Sequence, residues 1–342
     1  MLSNKKRRLV EIGLLVGLLI SVLFSAGIGA VSIQSEEMFS AIQKFIQNKQ
    51  NLNLNERIFM EIRLPRALLC VLVGASLATG GSLMQALFRN PIVEPGLIGT
   101  SSGAAAGAAL YFVMGAQLPV LFSTYTLPLA SCLGAMLATA LVFFLSSAGE
   151  SKSSSTTALL LTGIAVNAIC LSAVGFLSYM ARDPQARSIT FWSMGTLSGA
   201  SWKAVGITGL STIIGIGYAF RLAHPLNTLM LGEQEAMLLG IRIQRLRLTI
   251  LIIQVILVAV ATSFVGVISF VGLIVPHLLR MLHGSDNRLL IRNAALLGAI
   301  FLSVADMAAR LWLKPAELPI GILTSIVGAP VFLLLLPKTN YF

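Results

Sequence analysis

Charge is what this sequence lacks. Of its 342 residues only 11% are Asp, Glu, Lys or Arg, against 56% hydrophobic. A soluble domain of this size carries roughly a quarter of its residues as charges. A soluble globular protein is therefore excluded, and most of the surface faces something apolar. Cysteine is scarce: Cys70, Cys132 and Cys170 lie inside apolar runs, none at CxxC spacing. They read as small packing residues, not as a disulfide framework. The three histidines, His224, His277 and His283, have no partner at metal-ligand spacing, so no metal site is expected. No G-x-x-x-x-G-K-[ST] occurs, so the chain does not bind ATP by that device. Acidic residues number 13, and no relay of carboxylates runs through the apolar segments. That speaks against the rival class, a secondary transporter driven by an ion gradient. A membrane enzyme would need a clustered acid, base or metal set, which is also missing.

What is present is apolar sequence in long runs, with a mean hydropathy of +0.88. A bilayer core asks for about 20 apolar residues per helical span. The runs are continuous and do not alternate, so helices are expected and a barrel is not. The reading is an all-α polytopic membrane protein: one transmembrane domain over 1–342, with ten spans and both termini on the inner side. Span 1 follows the basic cluster Lys5 to Arg8. The others fall near 64–87, 92–114, 121–146, 157–180, 203–222, 249–265, 267–282, 293–313 and 320–336. A polar outer loop occupies 32–62, an inner loop 146–155, a charged inner segment 223–248, and an outer turn 314–319. "ARDPQARS" lies outside, and "ITFWSMGTLSGAS" after it reads as a short surface helix. The net charge of +11 is read as loop bias and not as nucleic-acid binding. On this map 14 of the 24 Lys and Arg fall inside, which leaves ten outer basic residues to explain.

Several places break the pattern. "FRNPIVEPGLIGTSSGAAAGA", 88–108, carries two prolines, a glutamate and a run of small residues. Irregular backbone at membrane depth survives only when buried in protein or lining a cavity, and small residues allow helices to approach closely. It reads as an inner helix start packed against its neighbours or set beside a pathway. "SFVGVISFVGLIVPHLLR", 263–280, reads as a re-entrant turn or short helix, with His277 as a hydrogen-bonded packing residue. Asp306 lies inside a span, one helical turn from Arg310, and a local ion pair is expected. "LGEQEAMLLGIRIQRLRL", 231–248, joins a short apolar centre to acidic and basic ends and is broken by Gly240. It suits docking into a groove on a soluble partner.

Segments 63–108, 231–247, 266–290 and 305–336 together resemble the iron-chelate and cobalamin uptake permeases of ABC importers. The likeness runs in order along nearly the whole chain. One departure is "GVISF" at 266–270, where that family usually has "GPIGF". The resemblance implies a type II importer permease in the bacterial inner membrane, working as a homodimer. Two ATP-binding subunits would dock on the cytoplasmic side and carry the ATP, and a periplasmic substrate-binding protein would dock outside. Segment 231–248 would couple to the ATPase through Glu233, Glu235, Ala236, Leu239, Gly240, Arg242 and Arg245. Arg63, Arg66 and Arg310 would meet carboxylates of the binding protein. Residues 93–107 and 178–202 look most like the heme members, which makes heme the expected cargo and leaves no cofactor permanently bound; ferric siderophore and cobalamin are the alternatives. A heme pathway is expected to draw on Phe176, Tyr179, Met180, Phe191, Trp192 and Met194, with Arg182 and Arg187 at its mouth.

Overall fold

The computed structural model describes residues 4–29, 31, 33–47, 51–115, 123–147, 156–313 and 316–335. The expected inner loop around Lys152, Lys314 and Pro315 of the outer turn, and Lys338 lie outside the described residues. No strand occurs among those described. The helices are α1 (Asn4–Gly27), α2 (Ser35–Ile46) and α3 (Leu54–Arg57), then a π-helical turn (Ile58–Arg63) that runs straight into α4 (Leu64–Phe88). A 3-10 turn (Pro95–Ile98) leads to α5 (Thr100–Met114), α6 (Ser123–Ser147), α7 (Thr156–Met180) and α8 (Asp183–Ser193). Then come α9 (Trp202–Leu229), α10 (Glu233–Leu238), α11 (Ile243–Val265), α12 (Val271–His283), α13 (Asn287–Trp312) and α14 (Ile320–Leu335).

Each expected span has a helix under it, and seven of those helices are long and apolar enough to cross a bilayer. The other three, α5, α12 and α14, have 15, 13 and 16 residues. At about 1.5 Å per residue they reach roughly 20 to 24 Å, short of a core about 30 Å thick. Several boundaries differ from expectation. Helix α9 continues through Pro225 to Leu229, and α11 already begins at Ile243, so the inner segment 223–248 is mostly helix end. Hydropathy marks where a helix leaves lipid, and a helix does not have to stop there. Helix α8 begins at Asp183, inside "ARDPQARS", and ends at Ser193, so the short surface helix lies further upstream than expected.

Helix α4 is the centre of the bundle. It packs on α13, α11, α9 and α12, and its most apolar window is 83% buried; α1 and α7, each 17% buried, are peripheral. Without a hydrophobic force between helices in lipid, association relies on close van der Waals packing at small residues. Helix α4 supplies them. A Cβ on Gly74 would meet the Gly298 carbonyl oxygen of α13 at 2.3 Å, and one on Gly81 would meet that of Gly272 of α12 at 1.8 Å. Polar contacts fix the roll. Ser76 Oγ and Thr212 Oγ1 of α9 lie 2.8 Å apart, and Gln85 Nε2 donates to the Leu273 carbonyl at 3.0 Å. Cys70 is buried within this packing, as the sequence suggests. Replacing Gly81 by Ala should cost about 1–3 kcal/mol, the usual range for overpacking, because the obstacle is backbone. A fall in the melting temperature of the detergent-solubilised protein checks it, and an unchanged value would show that α4 and α12 can part freely.

The described part of the expected outer loop, 33–47 and 51–62, folds back as a cap. Its core is Ala26, Ile33, Ala41, Phe59, Met60 and Ala67. Lys44 Nζ donates to both oxygens of Glu56, at 2.7 and 2.8 Å, and Ser40 Oγ adds a bond of 2.7 Å. These donors, with the Asn53 N–H, push the Glu56 carboxyl down from 4.5 to about 2. The folded value lies below the unfolded one, so this stabilisation is whole above pH 4.5 and is lost as pH falls towards about 2. Pepsin cleavage within 33–62 should therefore rise across that window. In Glu56→Gln it should be high throughout; a flat wild-type profile would count against the ion pair as the clasp.

Candidate functional sites

Three sites stand out: an outer rim at the N-terminal end of α4, a junction of interrupted helices below it, and a hairpin at the opposite end.

At the rim, Asp306 of α13 is 1% exposed and sits between two arginines. Its Oδ1 accepts from Arg66 Nε at 3.1 Å and Nη2 at 2.8 Å, and its Oδ2 lies 3.0 Å from Arg310 Nε. The expected Asp306–Arg310 pair is there; the third member, Arg66, comes from 240 residues earlier and leaves no local signal in sequence. Arg66 Nη1 also donates to both oxygens of Glu317, at 3.0 and 2.9 Å. Arg310 donates to the carbonyls of Ile28 and Ser25, and Arg63 to those of Gly27 and Val31. The Ser25 and Gly27 carbonyls belong to the last turn of α1, where no helical partner follows, and those of Ile28 and Val31 lie just beyond it. Arg63, Arg66 and Arg310 are thus 5%, 9% and 8% exposed, with their forks turned inward. These three arginines, the expected docking residues, tie α1, α4 and α13 together in this chain.

At the junction, four helix ends meet. Thr196 N–H donates to the Val265 carbonyl at the end of α11 (2.7 Å). At the start of α14, Ile320 N–H donates to the Gly195 carbonyl at 3.1 Å and Gly321 N–H to that of Met194 at 3.0 Å. Phe270 N–H, at the start of α12, donates to Glu94 Oε1 at 3.1 Å. Backbone groups released where the helices break are satisfied by one another, as a dry interior requires. Despite its unusual wording the 266–270 turn forms: Gly266 takes φ 76° and Phe270 takes φ 69°. A left-handed non-glycine residue costs roughly 1–2 kcal/mol, here offset by the Glu94 bond. On the other flank Asn167 Nδ2 of α7 donates to the Gly96 and Leu97 carbonyls, at 3.0 and 3.2 Å, and pins the proline-containing turn.

A cleft of about 340 Å³ opens at this junction, lined by Ser193, Met194, Val267, Ser269, Gly321, Ile322, Ser325 and Ile326. Of the expected pathway residues, Met194 is the one that lines it. Phe176, Tyr179, Met180, Arg182, Arg187 and Phe191 are exposed along α7 and α8. Trp192 turns inward, packed with Ala104, Ala135, Val255 and Ala259, so it is core and not lining. The hydroxyls of Ser193, Ser269 and Ser325 went unpredicted, since three isolated serines in apolar sequence carry no pattern. His277 is buried against Phe332, ring centroids 6.5 Å apart, but neither of its nitrogens has a hydrogen-bond partner among the described residues. It packs, without the hydrogen bond expected of it. His224 is exposed, and the His283 side chain lies outside the described residues.

The hairpin is built from α10 between two glycines. Gly232 takes φ 136° before it and Gly240 φ 85° after it, values that other residues rarely adopt. Gly240 N–H donates to Met237 and Ile241 N–H to Ala236, closing the helix. Ala236 is fully buried against α9 and α11. Glu233 Oε1 accepts from Arg247 Nη2 at 2.6 Å, locking α10 to α11. Among the expected residues Ala236 and Gly240 shape the hairpin, Glu233 locks it, and Glu235, Leu239, Arg242 and Arg245 are exposed. Arg247, one of the charges of segment 231–248, gains its role from the Glu233 pair, which the sequence alone does not reveal. Met237, Leu238 and Leu239 are 56%, 88% and 65% exposed, an apolar tip beside a groove of about 590 Å³ lined by Glu233, Arg242, Arg245 and Arg247.

Comparison with known proteins adds relatives. Residues 17–338 match the FecCD transport family. The chain is 41% identical to the hemin transport system permease protein HmuU of Yersinia pestis over 323 residues, 94% of this chain and 93% of that one. It is 36% identical to the vitamin B12 import system permease protein BtuC of Yersinia enterocolitica, covering 96% of this chain and 92% of that one. Its structure matches a metal-chelate type ABC transporter solved in an inward-facing conformation, with TM-score 0.84 and 32% identity over 96% of this chain and 99% of that one.

Proposed function

We propose, from the premise that this chain belongs to the FecCD transport family, that it carries heme inward across the bacterial inner membrane. As a family member it is a multi-pass permease subunit of an ABC importer, working with ATP-binding subunits and a substrate-binding protein. The finer reading is a homodimer of ten-span subunits with both termini in the cytoplasm, carrying heme between them. The observation that carries the importer role is the hairpin at α10: an apolar tip, held at a fixed angle by Glu233 and Arg247, on a chain with no nucleotide motif of its own. ATP closes the partner pair, and the tip transmits that closure to α9 and α11. A transporter moves only when something distinguishes its two states, and this tip is where that difference enters.

The rim arginines act through shape in this reading. By holding the ends of α1, α4 and α13 in register they present a fixed outer surface to the binding protein, including the exposed Glu317. Heme is favoured over the alternatives by the wording of 93–107 and 178–202 and by the exposed aromatic and methionine side chains of α7 and α8. The hydroxyls of the junction cleft offer hydrogen bonds too weak to trap a cargo. The test is uptake into proteoliposomes holding the complete importer with its binding protein. Heme should accumulate with ATP, and cobalamin and ferric siderophores should not. Accumulation of either in place of heme would overturn the cargo and leave the importer role standing; no ATP-dependent uptake of any of them would count against both.

A further inference from the structure

Helix α2 exposes a row of large apolar side chains that nothing among the described residues covers. Phe39, Ile42 and Ile46, at spacings of three and four, share one face, with Phe45 on its border. They are 72%, 41%, 76% and 59% exposed. The opposite flank is fully committed. Ser40 and Lys44 bind Glu56, and Glu37 accepts from Asn55 Nδ2 at 2.9 Å and from the Gln34 N–H at 3.1 Å. These bonds fix the roll of the helix, so the apolar stripe cannot turn inward to hide. Twelve residues folded with their polar side spent internally and their apolar side outward are built for an apolar medium.

We propose that α2 is an interfacial helix whose Phe39–Ile42–Ile46 stripe lies in the lipid leaflet on the side away from α10. Continuity argues for lipid. Helix α1 exposes Leu19, Leu23 and Phe24 by 65%, 63% and 58%, the surface of a peripheral span facing acyl chains. Helix α2 sits directly against the end of α1, where the Gly27 Cβ position lies 3.5 Å from Met38 Cε. Phe39 and Ile46 stand 72% and 76% exposed, whereas protein interfaces concentrate their energy in packed pockets. It also carries no free cation, because Lys44 is bound to Glu56. Many interfacial helices use basic residues to find anionic lipid; this one depends on apolar insertion alone.

The experiment uses the complete importer in lipid nanodiscs, with the three native cysteines replaced and an environment-sensitive fluorophore on Phe39→Cys. A second sample carries it on Gln47→Cys, the exposed polar residue that closes the helix, turned away from the stripe. The Phe39→Cys probe should emit at shorter wavelength and be quenched by lipids spin-labelled near the headgroup more than by lipids labelled near the chain end. Quenching should be equal in zwitterionic and anionic lipid. The Gln47→Cys probe should be quenched by aqueous iodide. Iodide quenching at Phe39→Cys without lipid quenching overturns the proposal. Protection that appears only when the binding protein is added assigns the stripe to that protein and overturns it too. So does a disulfide between Phe39→Cys residues of two copies, which would make the stripe a chain-to-chain contact.

Discussion

Asp306→Ala should cost the protein about 3–5 kcal/mol, the range for leaving a buried charge without its partner. The loss falls mainly on Arg310. Arg66 keeps Glu317, whereas Arg310 retains only neutral carbonyls and the Ser25 hydroxyl. Because Arg310 also ends α1, the variant should loosen α1 from α13 as well as α4 from the rim. A lower melting temperature and a falling monodisperse yield in detergent would record it. Adding Arg310→Leu should recover part of the loss, since it removes the stranded charge, and the double-mutant cycle isolates the coupling. Asp306→Asn should be milder, as it keeps the volume and one acceptor. An Asp306→Ala protein that melts with wild type would show that the arginines do not anchor the rim.

Leu238→Pro should abolish transport while leaving a folded, assembled complex. Helix α10 has six residues and Leu238 is the last of them; a proline there removes the N–H that bonds back one turn and pushes Met237 out of helical backbone, more than so short a helix can hold. The expected result is uptake at background with ATP hydrolysis persisting and no longer stimulated by the binding protein. Leu238→Ala keeps the helix and removes only the tip, so it should weaken coupling without erasing it. Arg247→Ala should resemble the proline variant more than the alanine one, because it frees α10 from α11. Normal uptake in Leu238→Pro would remove the hairpin from the coupling path.

Helices and loops of this chain are legible in its sequence to the extent that lipid dictates them. Apolar length exposed α1, α6, α7, α11 and α13, and the glycines around 231–240 exposed the hairpin. Hydropathy misplaced the inner ends of α9 and α11, since helices carry on into water past Arg221 and before Thr249. It missed the amphipathic stripe of α2, because Phe39, Ile42 and Ile46 are diluted by Glu36, Gln43 and Lys44 in any linear window. Long-range pairs were invisible altogether. Arg66 reads as an outer charge until Asp306 and Glu317 are placed beside it, and Phe270 reads as membrane filler until Glu94 reaches its N–H. Trp192 illustrates the converse: an aromatic in an outer connection suggests an interface anchor, and only the depth reached by α8 makes it core.

The junction of interrupted helices has a consequence for biogenesis. Its backbone groups come from residues near 195, 266, 270 and 321, with Glu94 on a still earlier turn. The Met194 and Gly195 carbonyls receive their donors from the start of α14, which leaves the ribosome long after α8. Until then the membrane holds a chain with exposed carbonyls at depth, each worth several kcal/mol while unsatisfied. A chain without α14 is therefore chemically marked: it differs from one that has it by bare polar backbone in the bilayer, a feature that membrane proteases and insertion chaperones can recognise without reading any sequence.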